Sequence, residues 1–338
     1  MPWLETSPMT ERGRFVDDAH RGLFSMTELC TRYDISRKTG YKWLDRYDAQ
    51  GREGLRDGSH APQTCPHKIS EEVARALCEG RRAHPTWGPR KLLRWLGRHQ
   101  PALRLPAIST AGDLLAREGL VKKRVRRRRY RHPGLVAPVP QHPNDQWTSD
   151  FKGHFRTGDG RYCYPLTVAD LHSRLLLGCD ALLSTQGREA YPCFEALFRE
   201  YGLPAAIRTD NGVPFASTGL HGLSRLNVWW MRLGIQHHRI RPASPQENGA
   251  HERMHRTLKR EATRPAAANR HRQQLAFDRF RQEYNEDRPH EALGDSTPAS
   301  VYRPSPRPFP DRLPAIEYPG HFQVRFVSTA GTFRVRNR

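Results

Sequence analysis

The sequence predicts a multidomain chain: all-α helix-turn-helix domains at the N-terminus, an α/β core on a mixed five-stranded sheet, and a small, truncated β element at the C-terminal end. Three observations carry this. Apolar residues recur at helical spacing through about residue 121. A basic, Pro-rich stretch then interrupts the pattern. Beyond it, short β-prone runs alternate with helical ones, the signature of a layered α/β domain.

Charge narrows the class of partner. Lys and Arg outnumber Asp and Glu by 56 to 35, a formal net charge of +21 in 338 residues, which points to a polyanion and first to double-stranded DNA. A membrane is not expected, because the apolar stretch Leu175 to Leu183 is too short to span and is broken by Gly178 and Asp180. Met1 to Thr10 shows no secretion signal, so a cytoplasmic location is expected, nucleoid-associated when bound to DNA. The six cysteines form no C-x-x-C pair and read as reduced thiols.

In the first domain, expected over residues 1–62, helices are predicted at 11–23, 26–33 and 37–49. Ser25 and Ser36 suit N-caps, since a serine hydroxyl accepts from free first-turn amides, and Gly51 suits a stop. Two helices about a tight turn at Asp34 form a helix-turn-helix pattern. Its second helix would present Arg37, Lys38, Thr39 and Lys42 at the end that enters the major groove, while Ile35, Trp43 and Leu44 pack. A second such domain is expected over 63–121, with helices at 70–82, 89–99 and 110–118. Pro89 suits a first helical turn and Ser109 a cap. There Arg90 and Lys91 are candidate DNA contacts, whereas Trp87, Leu92, Trp95 and Leu96 recur at helical spacing and read as core.

A linker is expected over 122–143. Lys122, Lys123, Arg124, Arg126, Arg127, Arg128, Arg129 and Arg131 sit together without an acid, and such a run gains order by neutralising phosphates. The core is expected over 144–305. Strands are predicted at 146–155, 162–168, 175–181, 206–209 and 235–240, helices at 185–201, 224–233 and 245–263, and a further helix at 273–285. A Pro-rich segment and the partial β module, at 322–327 and 332–335, fill 306–338.

Three carboxylates carry the chemistry. Asp150 lies in a predicted strand within WTSDFKG, residues 147–153, and Asp210 ends another within TDNG, residues 209–212. If those strands are neighbours, both acids converge at the sheet end where α/β proteins bind ligands. A third acid from a crossing helix would complete a cage for Mg²⁺, which takes oxygen ligands and keeps positions open for water and phosphate. Glu247, Glu252 and Glu261 compete for that place. At about 100° per residue, Glu252 shares a helix face with Asn248, His255, Arg256 and Lys259, a face suited to metal and DNA together. Asn248 and Lys259 are candidate contacts to the phosphate backbone. Asp170 reads instead as a turn residue.

These stretches resemble the bacterial insertion-sequence transposases with a retroviral-integrase-like catalytic core. The resemblance runs from about residue 24 to 308 and includes ISRKTGYKW at 35–43, DLHSR at 170–174, WWMRLGI at 229–235, the Glu252 helix and YNEDRPHEAL at 284–293. It implies an RNase H-like fold and two divalent ions, Mg²⁺ or alternatively Mn²⁺, held by Asp150, Asp210 and Glu252. It also implies helix-turn-helices that bind transposon ends. The gap from Asp210 to Glu252 exceeds the roughly thirty-five residues of the retroviral signature, and the chain ends at Arg338 inside a β module that continues in relatives, so a truncated copy is expected. The expected activity is metal-dependent cleavage and joining of DNA by a homo-oligomer holding two ends. A noncatalytic DNA-binding regulator or decayed transposase, and a ribonuclease H-like nuclease, are the alternatives.

Overall fold

The computed structural model describes residues 7–58, 69–121, 140–217, 222–241 and 249–315, with short stretches at 320–321, 325, 327–328 and 330–332. The chain divides into two compact units, Met1–Lys68 and Ile69–Arg338.

The first unit holds α1 (Pro8–Arg21), α2 (Met26–Arg32) and α3 (Arg37–Gln50), closed by a 3-10 turn at Gly51–Leu55. Serine caps set the boundaries. Ser25 accepts from the Glu28 amide while Glu28 reaches back to the Ser25 amide, and Ser36 accepts from the Thr39 amide. Asp34 makes the turn between α2 and α3 in the left-handed region, at φ 51°. Phe15, Val16, Leu29, Cys30, Trp43 and Leu55 form the core. Gly40 lets α3 approach it closely, since a Cβ there would stand 2.7 Å from Cys30 Sγ.

The second unit begins with α4 (Glu71–Ala83), α5 (Pro89–His99) and α6 (Ile108–Arg117). Pro89 occupies the first turn of α5 as expected, but α6 starts one residue before Ser109, with Ala107 as the flanking residue and no side-chain cap. Trp87, Leu92 and Leu96 are buried, and Trp95 packs partly buried beside them.

The sheet comprises β1 (Gln146–Phe151), β2 (Phe155–Arg156), β3 (Tyr162–Asp170), β4 (Leu176–Leu182), β5 (Ala206–Thr209) and β6 (Gln236–Arg239). Five strands run in the order β4-β3-β1-β5-β6, antiparallel among the first three and parallel from β1 to β6. The first expected strand, 146–155, is split in two. Gly153, at φ 90°, breaks the extended backbone, and the two-residue β2 then resumes pairing with β3.

Both faces are covered. α7 (Gly187–Tyr201) and α8 (Arg225–Arg232) pack on one through Trp147, Val168, Leu177, Phe194, Phe198 and Trp230. On the other, α9 (Gly249–Glu261) and α10 (Arg270–Gln282) pack through Ala169, Leu176, Cys179, Met254, Leu258 and Phe277. A π-helical turn at Glu283–Asp287 and the short α11 (Pro298–Val301) follow. The open edge of β4 is sealed by side-chain amides. Asn285 bonds both the N–H and the C=O of Leu176, at 2.8 and 2.9 Å, and Gln274 bonds Ala181 N–H and Cys179 C=O. Asp170 makes the turn expected of it, accepting from the Ser173 amide and hydroxyl and from the Asn144 amide.

Candidate active site

Strand alternation sorts β1 into two faces. Trp147 joins the core under α7, so Thr148 and Asp150 point to the α9 side. In the parallel pairing of β1 with β5, Ser149 faces Thr209, which sets Asp150 and Asp210 one residue further along at the same sheet end. Asp210 follows β5, and its carboxylate accepts from the Gly212 amide at 3.1 Å. Glu252 lies in the first turn of α9 with its side chain exposed.

Asp150 feels the charge of the other two. Asp150 is pushed up to about 7, first by burial, then by the negative charge of Asp210 and less by that of Glu252; the Phe151 amide and the Lys152 charge oppose the rise. Lys152 is lowered by burial and by the charge of Lys259, while Asp150 holds it up. A buried carboxylate crowded by two others and flanked by cationic side chains is a cluster that a divalent cation would let ionise fully.

Beneath Asp150 lies a polar network that the sequence patterning did not anticipate. Nδ1 of His251 is 2.6 Å from the Thr148 hydroxyl, and Nε2 of both His251 and His255 is 2.7 Å from the Thr167 hydroxyl. Thr167 Oγ1 is also 3.0 Å from the carbonyl oxygen of Asp150. One hydroxyl proton cannot serve three neighbours, so at least one ring donates to Thr167. Burial pushes His251 down to about 3 and His255 to about 2, which keeps both rings neutral. Their ligand atoms and that of Asp150 lie within 4.8 Å of one another. The helical face assigned to Glu252 is therefore divided: Glu252, Arg256 and Lys259 are exposed, while His255 turns into the sheet. The i, i+4 histidine spacing around Glu252 was the signal available in the sequence.

The expected DNA contacts are placed unevenly. Arg37, Lys38 and Lys42 are exposed at the start of α3, and Thr39 is half-buried beside Ser36. Arg90 is engaged within its own unit, bonding Asp295 through Nε and Nη2 and Glu291 through Nη1, and Arg94 joins it on Asp295. Lys91 is half-buried beside Arg288. Lys122, Lys123, Arg124, Arg126 to Arg129 and Arg131 lie outside the described residues, as do Glu247, Asn248 and most of the expected C-terminal β element. No described helix is long and apolar enough to cross a membrane.

The comparisons agree with this architecture. Two family models described as "Integrase core domain" match residues 140–245 and 233–298. A "Helix-turn-helix domain" model matches 11–62, and a "Homeodomain-like domain" model matches 39–115. The fold is thus that of an integrase core preceded by a helical, helix-turn-helix region. In this order of domains the chain is similar to two insertion-element proteins. The 39.2 kDa protein of insertion element IS476 from Xanthomonas euvesicatoria is 28% identical over 71% of this chain and 66% of its own length. The 31.7 kDa protein of insertion element IS407 from Burkholderia multivorans is 27% identical over 52% of this chain and 62% of its own. The chain thus spans just under two thirds of the length of these relatives. The Gag-Pol polyprotein of baboon endogenous virus is 32% identical over 36% of this chain and 7% of that protein. Among solved structures, the HTLV-2 integrase catalytic core domain in complex with magnesium is 17% identical, with 48% of this chain and 99% of that chain covered at a TM-score of 0.39.

Proposed function

We propose that the chain is a DNA transposase that cleaves and joins phosphodiesters, with Asp150, Asp210 and Glu252 holding a pair of Mg²⁺ ions. The observation that carries this is Asp150, at the sheet end where β1 pairs in parallel with β5, raised by the negative charge of Asp210 and less by that of Glu252 on α9. The proposed donor set is all oxygen, with Asp150 and Asp210 partly buried and Glu252 exposed, which suits Mg²⁺ and Mn²⁺ better than softer metals. When bound, the ions would supply an activated water or DNA 3′-hydroxyl and charge stabilisation at the leaving oxygen.

The chain's own residues do the rest. Thr167, His251 and His255 brace the backbone and carboxylate of Asp150 from below. Lys152 and Lys259, close enough for Lys259 to lower Lys152, offer positive charge to a DNA backbone beside the carboxylates. Arg37, Lys38 and Lys42 would enter the major groove from α3. The domain limits 1–62, 63–121, 122–143, 144–305 and 306–338 belong to this proposal, as does a homo-oligomer holding two DNA ends.

The test uses labelled duplexes from the sequences flanking the reading frame, a supercoiled target plasmid and Mg²⁺. Joined product is expected from the wild type and should fall at least about a hundredfold in Asp150→Asn, Asp210→Asn and Glu252→Gln with duplex binding retained. Duplex binding without cleavage by the wild type would instead indicate a noncatalytic DNA-binding protein.

A further inference from the structure

Two motifs that the carboxylate site leaves unused meet in one cavity: the DLHSR turn after β3, through Arg174, and the YNEDRPHEAL stretch after α10, through Tyr284, Arg288 and His290. The cavity has a volume of about 370 Å³ and is completed by Lys91 of α5 and Arg253 of α9. It lies on the far side of α9 from Glu252. Ala250, Arg253, Met254 and Thr257 line it, and their mean direction is about 150° round the helix from Glu252.

Its electrostatics are one-sided. Four cationic side chains, Lys91, Arg174, Arg253 and Arg288, face one another across it, and Glu291 is the one carboxylate among the described lining residues. Glu291 is also bonded to Arg90 at 3.1 Å. Arg288 has a carboxylate of its own, Glu261, at 3.0 and 3.2 Å. Arg174 does not: its Nη1 is buried without a hydrogen-bond partner in the protein. Arg174 also sits in the left-handed region at φ 64°, so the backbone adopts an uncommon conformation where it delivers this guanidinium. Burial, and then the charge of Arg288, brings Lys91 down to about 8. A buried guanidinium N–H without a partner, among crowded cations, is costly alone and is satisfied by a polyvalent anion with several acceptor oxygens.

We infer that this cavity is a phosphate-binding site, separate from the metal site, in which Arg174, Lys91 and Arg253 grip a phosphate group. The phosphate belongs either to a DNA backbone or to a free phosphate compound, and the experiment separates the two. Unfolding of the full chain is followed in chelator, so the outcome does not depend on metal binding, with sodium phosphate replacing sodium chloride at constant ionic strength. A labelled duplex oligonucleotide is titrated in parallel at several salt concentrations. Phosphate should raise the wild-type Tm by several degrees and leave Lys91→Met unmoved, whereas a general salt effect would shift both alike. Lys91→Met should match or exceed the wild-type Tm without phosphate, so lost binding is not confused with lost folding; Arg174→Gln is the second variant. If phosphate moves neither protein but Lys91→Met lowers the salt slope of duplex binding by about one, the ligand is a backbone phosphate. Equal phosphate responses together with equal duplex binding in wild type and both variants would overturn the inference.

Discussion

Nδ1 of His255 stands 3.7 Å from a carboxylate oxygen of Asp150, and the other nitrogen of the same ring rests on the Thr167 hydroxyl. The candidate site thus has a floor: a metal-ligand candidate on β1 is tied to α9 through one threonine of β3. Thr167→Val keeps the shape and removes the hydroxyl that two buried rings share. It should cost about 1–3 kcal/mol of stability and depress metal-dependent turnover while leaving the KM for DNA unchanged. Thr167→Ser should restore both. A valine variant with wild-type turnover would show that the floor does not position Asp150.

Crowding of Asp150 by Asp210 and Glu252 has a signature without any metal. In chelator, Asp150→Asn should raise the Tm, on the order of 1–3 kcal/mol in unfolding free energy, because a neutral amide replaces a buried charge repelled by two others. With Mg²⁺ added, the wild type should gain stability and the variant should not. Thermal unfolding with and without Mg²⁺ checks both.

Lys91 gives a pH dependence of definite sign. Its folded value of about 8 lies below the ordinary 10.5, lowered by burial and Arg288 and partly held up by Glu261, Asp295 and Glu291. The fold therefore prefers the neutral amine. This contribution to stability is full above about 10.5 and is lost as pH falls through about 8. Lys91→Met should flatten this rise between pH 8 and 10.5, by on the order of 1–2 kcal/mol once solvent screening of a half-buried group is allowed for. Denaturant unfolding across that range is the measurement.

Asn285 closes the β4 edge with two hydrogen bonds to Leu176. Asn285→Ala would leave a buried backbone N–H and C=O unpaired, so a loss of about 2–4 kcal/mol is expected. Amide hydrogen exchange should show faster exchange at Leu176 in particular. Unchanged protection there would mean that the edge is sealed by other groups.

What could be read from the sequence was local. Ser25 and Ser36 predicted helix starts because a cap needs only its own first turn, and the β-prone runs at 162–168 and 175–181 predicted strands because a strand buried on both faces reads as a near-continuous apolar run. The pairing of β1 with β5 was a condition that the order of strands and helices allowed, and the parallel ladder meets it. The inward turn of His255 did not, because a helical wheel shows which residues share a face but not where the sheet meets that face. The engagement of Arg90 by Asp295 was equally hidden: the partners are 205 residues apart, and charge alone reads as exposed and free for DNA. The break at Gly153 was available in principle, as an isolated glycine inside a strand pattern.

Asp150, Asp210 and Glu252 are proposed to share divalent cations. Crystals soaked in MnCl₂ and measured at the manganese absorption edge test it directly. Anomalous density is expected between Asp150 and Asp210, with a second peak toward Glu252 once DNA is bound, and both lost in Asp150→Asn. Manganese bound instead by His251 and His255 with the Thr167 contacts broken, or no manganese near Asp150 at saturating concentration, would contradict it.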